Sequence, residues 1–113
     1  LALDSGEFHY EPGQFVEVSV AGIGEAPISI TSSPTQTDGF ELVIRNAGNV
    51  TKAIHKMKPG VKVGVRGPYG QGYPYKGMMG KNLIFICTTG TFYKEFAIPF
   101  IKNQSVNHSA YFQ

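Results

Sequence analysis

A period of two, repeatedly cut by glycine, limits what this chain can become. Across residues 14–20, Val16, Val18 and Val20 alternate with Phe15, Glu17 and Ser19. One face is apolar and the other is not, the pattern of a half-buried strand. Residues 28–31 predict a second, shorter strand. Residues 40–45 alternate again, with Phe40, Leu42 and Ile44 against Glu41, Val43 and Arg45. Residues 61–66 set Val61, Val63 and Val65 against Lys62, Gly64 and Arg66. Pro12-Gly13, Gly22-Ile23-Gly24 and Asp38-Gly39 mark the turns. Only between the last two strands does the period change. Val50, Ala53, Ile54 and Met57 fall at i, i+3, i+4 and i+7, one stripe of a short helix. Asn49 or Thr51 is placed to cap that helix, and Pro59-Gly60 to stop it. Short strands, glycine turns and one helix predict a small antiparallel barrel or sandwich.

The 113 residues give room for one core and little more. A single cysteine leaves no internal disulfide and no iron–sulfur or cysteine-rich zinc site within the chain. In a redox protein it also points to the cytoplasm. His9, His55 and His108 are scattered, so no metal centre is expected. A net charge of +2 does not point to nucleic acid, and Lys52, Lys56, Lys58 and Lys62 read as a solvated face. No apolar run approaches the roughly 20 residues of a membrane span.

Residues 67–80 lose all periodicity and fill with Gly, Pro, Tyr and Met, as a linker does. Residues 83–87 are then continuously apolar, the mark of a strand covered on both faces, with Cys87 as a small core hydrophobe. Thr88-Thr89-Gly90-Thr91 predicts a turn, residues 92–101 a helix, and the polar tail from Asn103 a frayed end. The expected division is a barrel at 1–75 and the beginning of an α/β unit at 76–113.

Two segments carry chemistry. Arg45-Asn46-Ala47-Gly48-Asn49-Val50-Thr51 runs from a strand through a glycine turn into a helix start, where unpaired N–H groups favour phosphate. An ordinary capped helix has the same pattern. Ala26-Pro27-Ile28-Ser29-Ile30-Thr31-Ser32-Ser33 joins a proline to hydroxyls on a short strand. It can hold the edge of a planar polar ring, or be a plain edge strand with proline near its start.

Together with Pro12-Gly13-Gln14-Phe15-Val16 and Arg66-Gly67-Pro68-Tyr69-Gly70, these segments resemble the flavin domain of the ferredoxin–NADP reductase superfamily. The resemblance is to the branch of sulfhydrogenase gamma, anaerobic sulfite reductase B and dihydroorotate dehydrogenase electron-transfer subunits. It covers roughly residues 8–90. It implies a mainly β fold, a six-stranded antiparallel Greek-key barrel that binds FAD, with one short helix. After the barrel comes an NAD(P)-binding α/β domain, here only its first strand–turn–helix. The family's Arg-x-Tyr/Phe-Ser motif falls on Ala26, Pro27, Ile28 and Ser29. Ser29 matches and would lie near flavin N5, Ile28 leaves only apolar cover, and Ala26 removes a pyrophosphate-pairing arginine. Gly48, Asn49, Val50 and Thr51 match the pyrophosphate cradle. Val43, Ile44 and Arg45 would flank the ring or its ribityl chain, and Arg45 or Lys52 can restore the missing charge.

Phe92 stands where the nicotinamide turn needs glycine, so NAD(P) is not expected to bind this chain. The resemblance also places the chain as a fragment or truncated product, short of the family's first strand. The partners it implies are iron–sulfur or hydrogenase/reductase subunits, and an open barrel edge invites a second copy. Two functions remain. One is the FAD-binding part of an NAD(P)H-linked electron-transfer oxidoreductase, inactive by itself. The other is a barrel that has lost its cofactor and serves as an interaction module.

Overall fold

The computed structural model describes residues 1, 7–36, 38–87 and 107–112. In chain order the elements are β1 (Phe15–Val20), β2 (Gly24–Ser29), α1 (Asn49–His55), β3 (Gly64–Tyr69), α2 (Tyr75–Met78), β4 (Asn82–Cys87) and β5 (Asn107–Phe112). The described fold is mainly β with little helix.

The alternating valines predict the central strand correctly. β1 lies between β2 and β3 in an antiparallel sheet. Val16 and Val18 are fully buried, and Tyr10, Ile30 and Phe40 complete the core. Burial of each such side chain is worth about 1.5–3 kcal/mol. Val20 closes a tight turn in which the Ile23 N–H donates to the Val20 carbonyl (3.0 Å). Gly22 there has a φ of 76°, the left-handed value that a type II turn requires at its third residue.

Chain direction alone does not fix which β2 groups point outward, but one hydrogen bond does. The Ile30 N–H donates to the Gln14 carbonyl (3.1 Å), in register with the Phe15–Ser29 and Val16–Ile28 pairs. In an antiparallel ladder the bonded positions alternate, so Ala26 and Ile28 bond to β1. Glu25, Pro27 and Ser29 turn their backbone groups to the outer edge. Pro27, without an N–H, stands where none is needed.

Several boundaries differ from the sequence expectation. β2 begins at Gly24 and ends at Ser29, rather than spanning 28–31, because pairing with β1 starts at the turn. The strand expected over 40–45 is reduced to one bridge, Ile30 with Leu42. Its alternation reports which side chains face the core, and Phe40 is indeed buried. The strand expected at 61–66 begins at Gly64 and runs to Tyr69, past a bulge opposite Phe15 and Glu17, while Val61 is exposed. The linker expected at 67–80 therefore contains the end of β3 and the short α2. The tail is not frayed throughout. Residues 107–112 form β5, which pairs in parallel with β4. The turn expected at 88–91 and the helix expected at 92–101 lie outside the described residues.

A buried polar chain joins three segments. Tyr10 Oη and Ser32 Oγ are 2.7 Å apart, Tyr10 Oη donates to the Ser33 carbonyl (2.8 Å), and the Glu41 N–H donates to Ser32 Oγ (2.8 Å). Since Tyr10 spends its proton on Ser33, Ser32 must donate to Tyr10. Every hydroxyl is satisfied in one direction. Phe8 stacks on Phe40 (4.8 Å between centroids) and covers the chain from one side.

Tyr10→Phe should keep the ring packing and cost about 1–3 kcal/mol, since Ser32 and the Ser33 carbonyl lose their partner. Urea denaturation measures it. Burial raises the Tyr10 pKa above 10.0, so the folded state holds the phenol proton longer than the unfolded chain. Stability is therefore full below pH 10 and falls as pH rises above it, a decline that Tyr10→Phe should lack.

Candidate functional site

The ladder beyond β2 is begun and then abandoned. Thr31 N–H and Oγ1 both donate to the Glu41 carbonyl (2.9 Å each), and Ile30 bridges Leu42. In that register Ser29 stands opposite Val43, and beyond the bridge segment 43–45 forms no strand. Ser29 turns its backbone N–H and carbonyl toward that segment.

Strand alternation separates the three expected β2 residues. Pro27 and Ser29 share the outer face with Phe15 and Glu17, whereas Ile28 turns inward and packs against the core. Ile28 is half-buried, its apolar side chain turned toward the core rather than lying open on the surface. Ala26 is also on the inner side, opposite Val18.

The other half of the site is carried by α1. Its N-cap is Gly48, in extended conformation, and neither Asn49 nor Thr51 takes the N-cap position expected of them. Thr51, buried at the third helical position, folds back instead. Its Oγ1 accepts from the Ala47 N–H (3.0 Å) and the Gly48 N–H (2.9 Å) and donates to the Gly48 carbonyl (3.1 Å). The first intrahelical bond is Lys52 N–H to the Gly48 carbonyl (2.8 Å). The N–H groups of Asn49, Val50 and Thr51 remain as the open donors of the first turn. A Cβ built on Gly24 would touch Val50 (3.6 Å), which sets this helix start against the beginning of β2.

Two further facts concern charge and anchoring. Arg45, Lys52 and Lys56 are exposed, and no carboxylate pairs with them among the described residues. Asn49, Lys52, Ala53 and Lys56 line a groove of about 480 Å³ against Gly22 and Ile23. Arg66, by contrast, is committed. Its Nη2 lies 2.6 Å from Glu25 Oε2, which holds the Glu25 carboxyl below its usual range. His55 Nε2 donates to the Ile44 carbonyl (2.7 Å). Sequence reading had treated His55 only as an unsuitable metal ligand. A backbone acceptor eleven residues upstream leaves no motif to find.

The expected residues thus fall into two groups. Ser29, with segment 43–45 beyond it in register, stands at one end of β2, and Gly48, Asn49, Val50 and Thr51 stand near the other. Five strand steps of about 3.3 Å, roughly 17 Å, separate Gly24 from Ser29. The family described as "Oxidoreductase FAD-binding domain" matches residues 1–73, which contain all of them. The chain belongs to that family.

FAD is the cofactor this oxidoreductase FAD-binding domain implies, and the donors and acceptors along β2 and α1 fit it. A flavin edge offers both N–H and carbonyl groups, as Ser29 does, and a diphosphate needs N–H donors and unpaired cations. The domain is 52% identical over 77 residues to sulfhydrogenase 1 subunit gamma of Pyrococcus furiosus, covering 68% of this chain and 26% of that protein. It is 53% identical to sulfhydrogenase 2 subunit gamma of the same organism, covering 70% and 27%. A probable dihydroorotate dehydrogenase B (NAD(+)) electron transfer subunit of Methanocella arvoryzae is 36% identical, covering 61% and 24%. The chain spans about a quarter of the length of these relatives. No helix among the described residues is long and apolar enough to cross a membrane.

Thr51→Val should remove the acceptor shared by Ala47 and Gly48 and weaken the helix start by about 1–2 kcal/mol. Amide hydrogen exchange should speed up at those two residues and be restored by Thr51→Ser.

Proposed function

We propose that this FAD-binding domain is the flavin-holding part of an NAD(P)H-linked electron-transfer subunit whose electrons pass to an iron–sulfur partner. The flavin ring edge would lie beside Ser29, with Ile28, Ile44 and Arg45 flanking it and Pro27 at the rim. The pyrophosphate would lie along the first-turn N–H groups of Asn49, Val50 and Thr51, with Gly48 giving close approach. The observation that carries this reading is the match of residues 1–73 to the FAD-binding family, which contains both the Ser29 segment and the α1 start.

Bound FAD supplies the passage between two-electron and one-electron chemistry. This chain's own residues bind and orient it. Unpaired Arg45 and Lys52 supply positive charge in place of the motif arginine that Ala26 lacks. We extend the reading to a six-stranded barrel to which residues 1–75 contribute, followed by the beginning of a nicotinamide domain over 76–113. The parallel β4–β5 pair supports that second part, since parallel strands need a long crossover and are typical of α/β domains. The names of the relatives support partner subunits of a hydrogenase or a dehydrogenase, and the single cysteine fits the cytoplasm.

The protein mixed with FAD and desalted should keep absorbance at roughly 450 nm. A Cβ on Gly48 meets nothing within 4 Å and its backbone is extended, so Gly48→Trp should fold normally. It should nonetheless lose FAD retention by at least about tenfold. Unchanged retention in Gly48→Trp overturns the pyrophosphate assignment. A wild-type protein that keeps no flavin favours a barrel acting as an interaction module.

A further inference from the structure

The ring and diphosphate placements leave the groove along α1 unused. Asn49, Lys52, Ala53 and Lys56 fall at i, i+3, i+4 and i+7, one stripe of α1 and its C-cap. With Gly22 and Ile23 they line a groove of about 480 Å³, within the roughly 300–1,000 Å³ of small-molecule sites. Gly24 stands against Val50, so their chain neighbours Ile23 and Asn49 open the groove just beyond that contact. Ser29 lies on the other side of it, at the far end of β2. Along β2 the order is Ser29, then the Gly24–Val50 contact, then the groove. Ile23 is 49% exposed, an apolar side chain on a turn where the fold gives it no cover. Ala53, half-buried on the helix side, offers only a methyl group and leaves room above it. Lys52 and Lys56 stand one helical turn apart, a like-charge pair that weakens a helix. No carboxylate pairs with either among the described residues.

We propose that this groove seats the adenosine half of FAD and makes the domain select the dinucleotide over FMN. The inference rests on the flavin reading and adds to it the part of the cofactor that reading left unplaced. FAD runs from ring through ribityl chain and diphosphate to adenosine, and the order along β2 is the same. The base lies between the Ile23 side chain and the Ala53 methyl, two apolar surfaces suited to the faces of a purine. Lys52 faces the diphosphate. The Asn49 amide, which both donates and accepts, meets the ribose hydroxyls, and Lys56 at the far end donates to a ring nitrogen of the base. FMN would occupy the Ser29 end and leave the groove empty. Affinity gained in the groove therefore counts for FAD alone, and Ile23 is a specificity residue rather than part of the ring site.

The test titrates FAD, FMN and ADP into wild type, Ile23→Ser, Ile23→Leu and Lys56→Ala. Ile23 and Lys56 are exposed, so the variants should melt as the wild type does. Wild type should bind FAD at least about tenfold more tightly than FMN, and ADP should displace the bound FAD. Ile23→Ser should lose about tenfold in affinity for FAD and for ADP and nothing for FMN, while Ile23→Leu stays close to wild type. Lys56→Ala, at the other end of the groove, should lose about fivefold for FAD and again nothing for FMN. Equal affinity of wild type for FAD and FMN overturns the inference and leaves the flavin reading standing. So does a loss in Ile23→Ser that is the same for both flavins, or absent for FAD. A wild-type protein that binds neither flavin overturns the flavin reading itself, and the adenosine seat with it.

Discussion

Ser32 holds together segments that the sheet leaves apart. Its hydroxyl accepts from the Glu41 N–H and donates to Tyr10, which passes its own proton to the Ser33 carbonyl. The chain crosses from the segment before β1 to the segment after β2 and on to residue 41. Among the described residues only β1 has strands on both sides, so these outer segments have little ladder of their own to bind them. The network sits in a low-dielectric interior, where a satisfied bond is strong and an unsatisfied group is costly. Tyr10, Phe8 and Phe40 then bury their rings around it. With residue 41 fixed, the segment that follows starts from a defined point beside β2.

The same logic applies to α1. A seven-residue helix is too short to be stable through its own hydrogen bonds. What holds it is the packing of Ile54 on the core, the Thr51 clamp at its start and the His55 tie near its end. Each contact also restrains a piece of the candidate site. Stability of the helix and geometry of the site are therefore one requirement here.

How far the sequence revealed this can be argued residue by residue. Val16, Val18 and Val20 announced β1 and its buried face, because alternation measures burial directly. Phe40, Leu42 and Ile44 alternated just as cleanly, yet only Leu42 pairs. Alternation says which side of a segment is covered and nothing about whether a neighbouring strand continues. The β3 boundary moved because pairing begins where Gly64 meets Ser19, and a Cβ at Gly64 would collide with the Ser19 hydroxyl. Gly48 and Thr51 were readable as a helix start. The reciprocal bonds that make Gly48 the cap were not, since Asn49 and Thr51 are the better capping residues by type.

An open strand edge is ordinarily a hazard, because any extended chain can pair with it. Pro27 and Glu25 on the outer row of β2 answer that hazard without closing the edge. Pro27 removes one donor from the middle of the row, so an incoming strand could not form a continuous ladder. Glu25 places a charge there, held by Arg66. The edge is thus poor at receiving another strand, which weighs against a second copy of the chain docking along β2.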